Sequence, residues 1–158
     1  MVVRSSTNTE KNLGKVIFTA LAAAVVMLVA LISSASAAIR IAYDPGGLIT
    51  DYVIKYRQIQ DSGEQVAVDG PCYSACTLML GILPPKQICL TANAQFGFHA
   101  AARLDPNGNF VIDQRATTWM WYLYPMPIRA RLARMGKLSG QMVYLGPDTL
   151  AALYPHCD

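Results

Sequence analysis

Asp69-Gly70-Pro71-Cys72-Tyr73-Ser74-Ala75-Cys76-Thr77-Leu78-Met79-Leu80-Gly81 reads as a strand end, a tight turn and the start of an apolar helix, with one serine at the junction. Gly70 and Pro71 break the short strand Val66-Ala67-Val68, and residues 75–80 contain nothing that forbids helix. A hydroxyl at such a junction faces backbone N–H groups and the positive end of the helix dipole, which together stabilise an oxyanion forming beside it. A hydrolase nucleophile elbow is built on the same strand, turn and helix, with glycines where Cys72 and Cys76 stand here. An isolated serine at a helix start is also an ordinary N-cap. Ser74 therefore gains meaning only from what the rest of the chain brings to it.

Upstream, Ile39-Arg40-Ile41-Ala42-Tyr43 alternates apolar and polar residues as a strand does, and ends in the turn Asp44-Pro45-Gly46-Gly47. With no side chain on two successive residues, the N–H groups of that turn can approach another group closely. Residues 48–61 carry an amphipathic helical pattern, Ser62-Gly63 closes it, and residues 64–69 return as a strand. A strand, helix, strand unit implies a right-handed crossover and parallel pairing. The glycine turn then shares the carboxyl edge of the sheet with Ser74, where ligand sites of open α/β sheets form.

Downstream, Leu83-Pro84-Pro85-Lys86 is an extended connection, residues 87–90 form a short strand, and Asn93-Ala94-Gln95-Phe96-Gly97-Phe98-His99 runs into a histidine. Asp105-Pro106-Asn107-Gly108-Asn109 is a turn. The aromatics Trp119, Trp121, Tyr122 and Tyr124 read as core, with a hydrophobic groove or a subunit contact as the alternatives. A basic helix over residues 128–135 presents Arg129, Arg131 and Arg134 to solvent, and a last helix over residues 147–153 has Asp148 in its first turn.

The amino terminus carries Arg4, Lys11 and Lys15, then residues 16–32 without a charge, then Ser33-Ser34-Ala35-Ser36-Ala37-Ala38. A basic region, an apolar region and a small-residue exit make a secretory signal, cleaved after Ala37, so that residues 1–37 are the signal and residues 38–158 the folded domain. The alternative is an uncleaved transmembrane anchor over residues 16–38. Both put the domain on the periplasmic or extracellular side, and membrane contact is through this segment alone. Removing residues 1–37 reduces the net charge from +3 to +1, which offers no footprint for nucleic acid. Cys72, Cys76, Cys89 and Cys157 all lie in the exported part, an even number in an oxidising compartment, so two disulfides are expected with three connectivities open. Zinc held by these cysteines with His99 is the runner-up, weakened by the lack of a Cys-x-x-Cys pair.

Asp44-Pro45-Gly46-Gly47-Leu48-Ile49-Thr50, then Gly70 with Ser74 in Cys72-Tyr73-Ser74-Ala75-Cys76, then Phe96-Gly97-Phe98-His99, together resemble the Clp protease proteolytic subunit and its wider Clp/crotonase superfamily. The family pattern is a Ser-Pro-Gly-Gly turn, a helix, a strand, a Gly-x-x-x-Ser elbow and a histidine ending a later strand. The 25-residue separation of Ser74 and His99 looks the same as the family's. The resemblance implies an α/β fold of repeated ββα units, N-terminally truncated over residues 38–158. It further implies Ser74 as nucleophile, His99 as general base with Nε2 within about 3–4 Å of the hydroxyl, and the N–H groups of Gly47 and Ala75 as the oxyanion hole. The implied reaction is acyl transfer to water, most simply hydrolysis of a peptide or protein substrate, without a cofactor or metal. Asp148 is the nearest orienting carboxylate by count, 49 residues past His99, although aligning Tyr144-Leu145 puts Met142 at the family's aspartate. A missing carboxylate costs about 10⁴ in turnover where it leaves the imidazole in the wrong tautomer. With its first unit missing, the sheet is either smaller or completed by a second copy as a homo-oligomer.

Two function classes follow. One is an exported serine hydrolase, peptidase-like, using a Ser-His pair. The other is a catalytically inactive Clp/crotonase-like envelope module that binds a peptide or protein partner in the same groove. A crotonase-type thioester enzyme is a third and weaker fit, because no adenine-binding signature is visible.

Overall fold

In the structure, a computed structural model that describes residues 38–157, the glycine turn and the serine elbow sit on neighbouring strands. The signal or anchor reading of residues 1–37 lies outside the described residues. In chain order the elements are β1 (Ile39–Ile41), α1 (Ile49–Ser62), β2 (Val66–Val68), β3 (Pro71–Tyr73) and a 3-10 turn (Ser74–Leu78) that runs into α2 (Met79–Ile82). A second 3-10 turn (Pro85–Gln87) precedes β4 (Ile88–Leu90), followed by β5 (Gln95–Phe98), β6 (Ala102–Leu104) and β7 (Phe110–Ile112). Then come α3 (Gln114–Leu123), α4 (Met126–Arg134), β8 (Val143–Leu145) and α5 (Pro147–Leu150). The architecture is mixed α/β. Among the described residues no helix is long and apolar enough to cross a membrane.

β1, β2 and β4 form a parallel sheet in that order, with Ile39 opposite Val66 and Val66 opposite Ile88. Parallel pairing of β1 and β2 across α1 is the crossover the sequence predicts. β4 is not left as a bare edge. The tail runs alongside it, with the Leu90 N–H donating to Pro155 O at 2.9 Å and the Cys157 N–H donating to Leu90 O at 3.1 Å. The Cys89–Cys157 disulfide fastens that pairing. Covering the edge removes unpaired backbone groups from solvent.

β3, β5 and β8 form a second sheet, parallel between β3 and β5 and antiparallel between β5 and β8. β3 departs from the sequence expectation of a single strand followed directly by the Ser74 turn. Past Gly70 the chain leaves the first sheet, and Asp44, just beyond β1, pairs with Cys72. The Asp44 N–H donates to Pro71 O and the Tyr73 N–H to Asp44 O, both at 2.8 Å. The glycine turn is thereby tied by backbone to the strand that delivers Ser74.

One core joins these layers. Tyr56 of α1, Val66 and Val68 of β2, Phe96 and Phe98 of β5, and Ile128 and Leu132 of α4 are all buried. Burying each such side chain is worth about 1.5–3 kcal/mol. The aromatic run splits, contrary to the core reading. Thr117, Met120 and Tyr124 face inward at helical spacing, whereas Trp119 and Tyr122 are 45% and 69% exposed.

Candidate functional site

Ser74 has φ +54°. A left-handed conformation is uncommon for any residue with a side chain and costs about 1–3 kcal/mol, so the surrounding structure must impose it. Its carbonyl accepts from the Thr77 hydroxyl at 2.6 Å, and that hydroxyl is also hydrogen-bonded to the buried Tyr124 hydroxyl at 2.6 Å. The Tyr56 hydroxyl donates to Cys76 O at 2.9 Å, and the Tyr154 hydroxyl donates to Leu80 O at 2.6 Å. Side chains from α1 and the tail thus take carbonyls that a regular helix would bond internally, while the end of α3 holds the Thr77 hydroxyl. The segment after Ser74 is accordingly a 3-10 turn and a short helix rather than the continuous apolar helix expected.

The Cys72–Cys76 disulfide closes over the same serine. Both cysteine pairs are disulfides, the bond of oxidising compartments. Their sulfurs are therefore unavailable as zinc ligands, and among the described residues no group of three metal-ligating side chains is present.

Gly46 presses on this elbow from the other side. A Cβ at Gly46 would lie 2.6 Å from Ser74 Cβ and 2.9 Å from Ala75 N, and its φ of +86° is one that side chains resist. The turn also directs its donors differently. The Gly46 N–H is spent on Asp44 Oδ1 at 2.9 Å, while the Gly47 N–H has no partner among the described residues. Ala75 is the second residue of the 3-10 turn, so its N–H belongs to the first turn, which lacks internal partners.

Ser74, His99, Gly46 and Gly47 line one cleft of about 380 Å³, with Phe110 and Met120 on its apolar side. The N-cap alternative does not describe Ser74, because the cap position is Tyr73 and no side-chain cap bond is made. His99 Nδ1 lies 2.7 Å from Ala100 O. A carbonyl only accepts, so this hydrogen bond places the proton on Nδ1 and leaves the Nε2 lone pair free. Among the described residues no hydrogen bond joins Ser74 to His99.

Asp148 is not brought to the imidazole. It is exposed in the first turn of α5, where a carboxylate complements the helix dipole, and it does not line the cleft. The position aligned with the family's aspartate holds Met142. Its Sδ would lie 2.9 Å from a Cβ at Gly97 on β5.

Three contributors escape a sequence reading confined to motifs: Asp44, Tyr52 and the Ala100 carbonyl. Asp44 stands two residues before Gly46, the spacing of an Asx turn. Tyr52 is recognisable only once α1 is seen against the turn, where its ring lies 3.2 Å from the place of a Gly47 Cβ. A backbone acceptor such as Ala100 O leaves no trace in side-chain identity.

No known family profile matches the chain, and no curated protein matches it. Among solved structures, one described only as an enzyme is similar over 84% of this chain and 84% of its own, at 13% identity and a TM-score of 0.48. A peptidase from Plasmodium falciparum is similar over 84% of this chain and 85% of its own, at 12% identity and a TM-score of 0.46.

Proposed function

We propose that the domain is an exported serine hydrolase of peptidase type, built on a Clp/crotonase-like α/β fold. The observation that carries this is Ser74, held at φ +54° at a strand-to-helix elbow and opening on the cleft that His99 and the glycine turn also line. In the proposed reaction Ser74 Oγ attacks the carbonyl carbon of a bound acyl group and its proton passes to His99 Nε2. The N–H groups of Gly47 and Ala75 receive the developing oxyanion. The tetrahedral adduct expels the amine or alcohol, which takes the proton from His99, and water activated by the same imidazole releases the acyl group from Ser74. Leu48 and Phe110 stand at the cleft 71% and 81% exposed, free to pack along an apolar acyl or peptide chain. The two disulfides support export.

A second reading is favoured by one observation, the lack of a Ser74–His99 hydrogen bond: the cleft binds a peptide or protein partner without cleaving it. A fluorophosphonate probe separates the two. Covalent labelling of the oxidised, folded protein that maps to Ser74 and disappears in Ser74→Ala supports the hydrolase. Absence of labelling in folded protein overturns it in favour of the binding module.

Gly46→Ala is expected to slow labelling about 10²-fold, the cost of displacing an oxyanion donor. The added methyl has Ser74 Cβ and the Ala75 backbone in its way. Thermal unfolding measured alongside distinguishes this from loss of fold.

A further inference from the structure

Behind the glycine turn lies a polar cluster that the proposed chemistry does not use. One oxygen of the Asp44 carboxylate accepts the Gly46 N–H at 2.9 Å and also a hydrogen bond from the Tyr52 hydroxyl. The other faces Lys55 Nζ at 3.6 Å. Lys55 lies over the Tyr52 and Tyr56 rings, 5.1 and 5.5 Å from their centroids, so the ammonium is held by both the carboxylate and two π-faces. Burial, then the hydrogen bond to Asp44, then its charge, push the Tyr52 phenol up, so it stays a donor. Asp44 is also fixed by its backbone, which exchanges hydrogen bonds with Pro71 and Tyr73 of β3.

This arrangement decides which donor the turn offers to the cleft. A Gly-Gly turn has little intrinsic preference among its backbone conformations. With the Gly46 N–H drawn back onto Asp44, the next donor, on Gly47, is left unpartnered at the cleft.

We propose that Asp44, gripped by Tyr52 and Lys55 of α1, is the positioning residue of the oxyanion-binding turn, fixing Gly46 so that the Gly47 N–H is presented to the substrate. The role rests on the hydrolase reading, and it acts through the backbone rather than by touching substrate.

The test uses the full chain with three substitutions, Asp44→Ala, Asp44→Asn and Tyr52→Phe, and two readouts. With p-nitrophenyl acetate as probe substrate, Asp44→Ala is expected to lower kcat about 10- to 100-fold with KM within about twofold, the signature of an interaction made in the transition state. Asp44→Asn keeps an Oδ1 that accepts from Gly46 and Tyr52, so it should retain kcat within about threefold, and Tyr52→Phe should fall between the two. Asn as damaging as Ala, or Ala indistinguishable from wild type in a folded protein, overturns the proposal. If wild type neither turns over nor takes a fluorophosphonate label, the hydrolase reading fails by itself. Positioning is then read from amide hydrogen exchange at Gly46, expected to speed up at least about tenfold in Asp44→Ala or, should that variant not fold, to a smaller extent in Tyr52→Phe. Unchanged Gly46 exchange sinks the positioning role whatever the cleft does.

Discussion

His99→Ala is expected to lower hydrolysis of an activated ester by about 10²- to 10⁴-fold, the range that a positioned acid-base group supplies. KM should hardly change, since the imidazole acts on the moving proton. Removing the ring enlarges the cleft beside Ser74, so added imidazole should restore part of the lost rate. Ser74→Ala offers no such rescue, because it removes the nucleophile. Equal activity of His99→Ala and wild type would show that the cleft does not use the imidazole as a base.

The size of that effect follows from how the ring is held. A carboxylate on Nδ1 would both fix the tautomer and stabilise the imidazolium that forms during attack. Ala100 O, at 2.7 Å from Nδ1, does the first and, being uncharged, less of the second. In the proposed reaction His99 then acts as a base held by a neutral carbonyl, without the anionic partner expected in Asp148. Asp148 stays with the dipole of its own helix, and Met142 fills the space near Gly97.

These two positions show where the sequence was legible. The β1-α1-β2 unit follows from hydrophobic periodicity and a glycine turn, and those patterns are local, so β1 and β2 pair as expected. Ser74, His99 and the Gly46-Gly47 turn lie on one cleft because each ends or follows a strand whose pairing is parallel. What was hidden is longer in range. β3 exists because it pairs with β5 and bridges to Asp44, and residues 71–73, with a proline and a cysteine, carry too short a pattern to announce a strand. The 3-10 form of the elbow depends on the hydroxyls of Thr77 and Tyr56, and the Tyr154 hydroxyl holds the carbonyl of Leu80 from 74 residues away. Hydrophobic periodicity does not register such contacts.

The disulfides divide stability from alignment, and their removal should separate the two. Cys89 and Cys157 stand 68 residues apart, so their bridge constrains most of the described chain in the unfolded state. Replacing both by alanine is expected to cost about 4 kcal/mol of unfolding free energy in the chain-entropy account, lowering the melting temperature by roughly 10–20 °C. The tail should loosen from β4, taking Tyr154 and its hydrogen bond to Leu80 with it. Cys72 and Cys76 close only a four-residue separation, for which the same account gives about 2 kcal/mol. Their bridge spans Ser74, whose left-handed backbone must be imposed from outside. Cys72→Ala with Cys76→Ala should therefore slow fluorophosphonate labelling more than the Cys89 and Cys157 replacements do, while moving the urea midpoint less. If the labelling rates rank the other way, Thr77 and the buried tyrosines hold the elbow without help from the bridge across it.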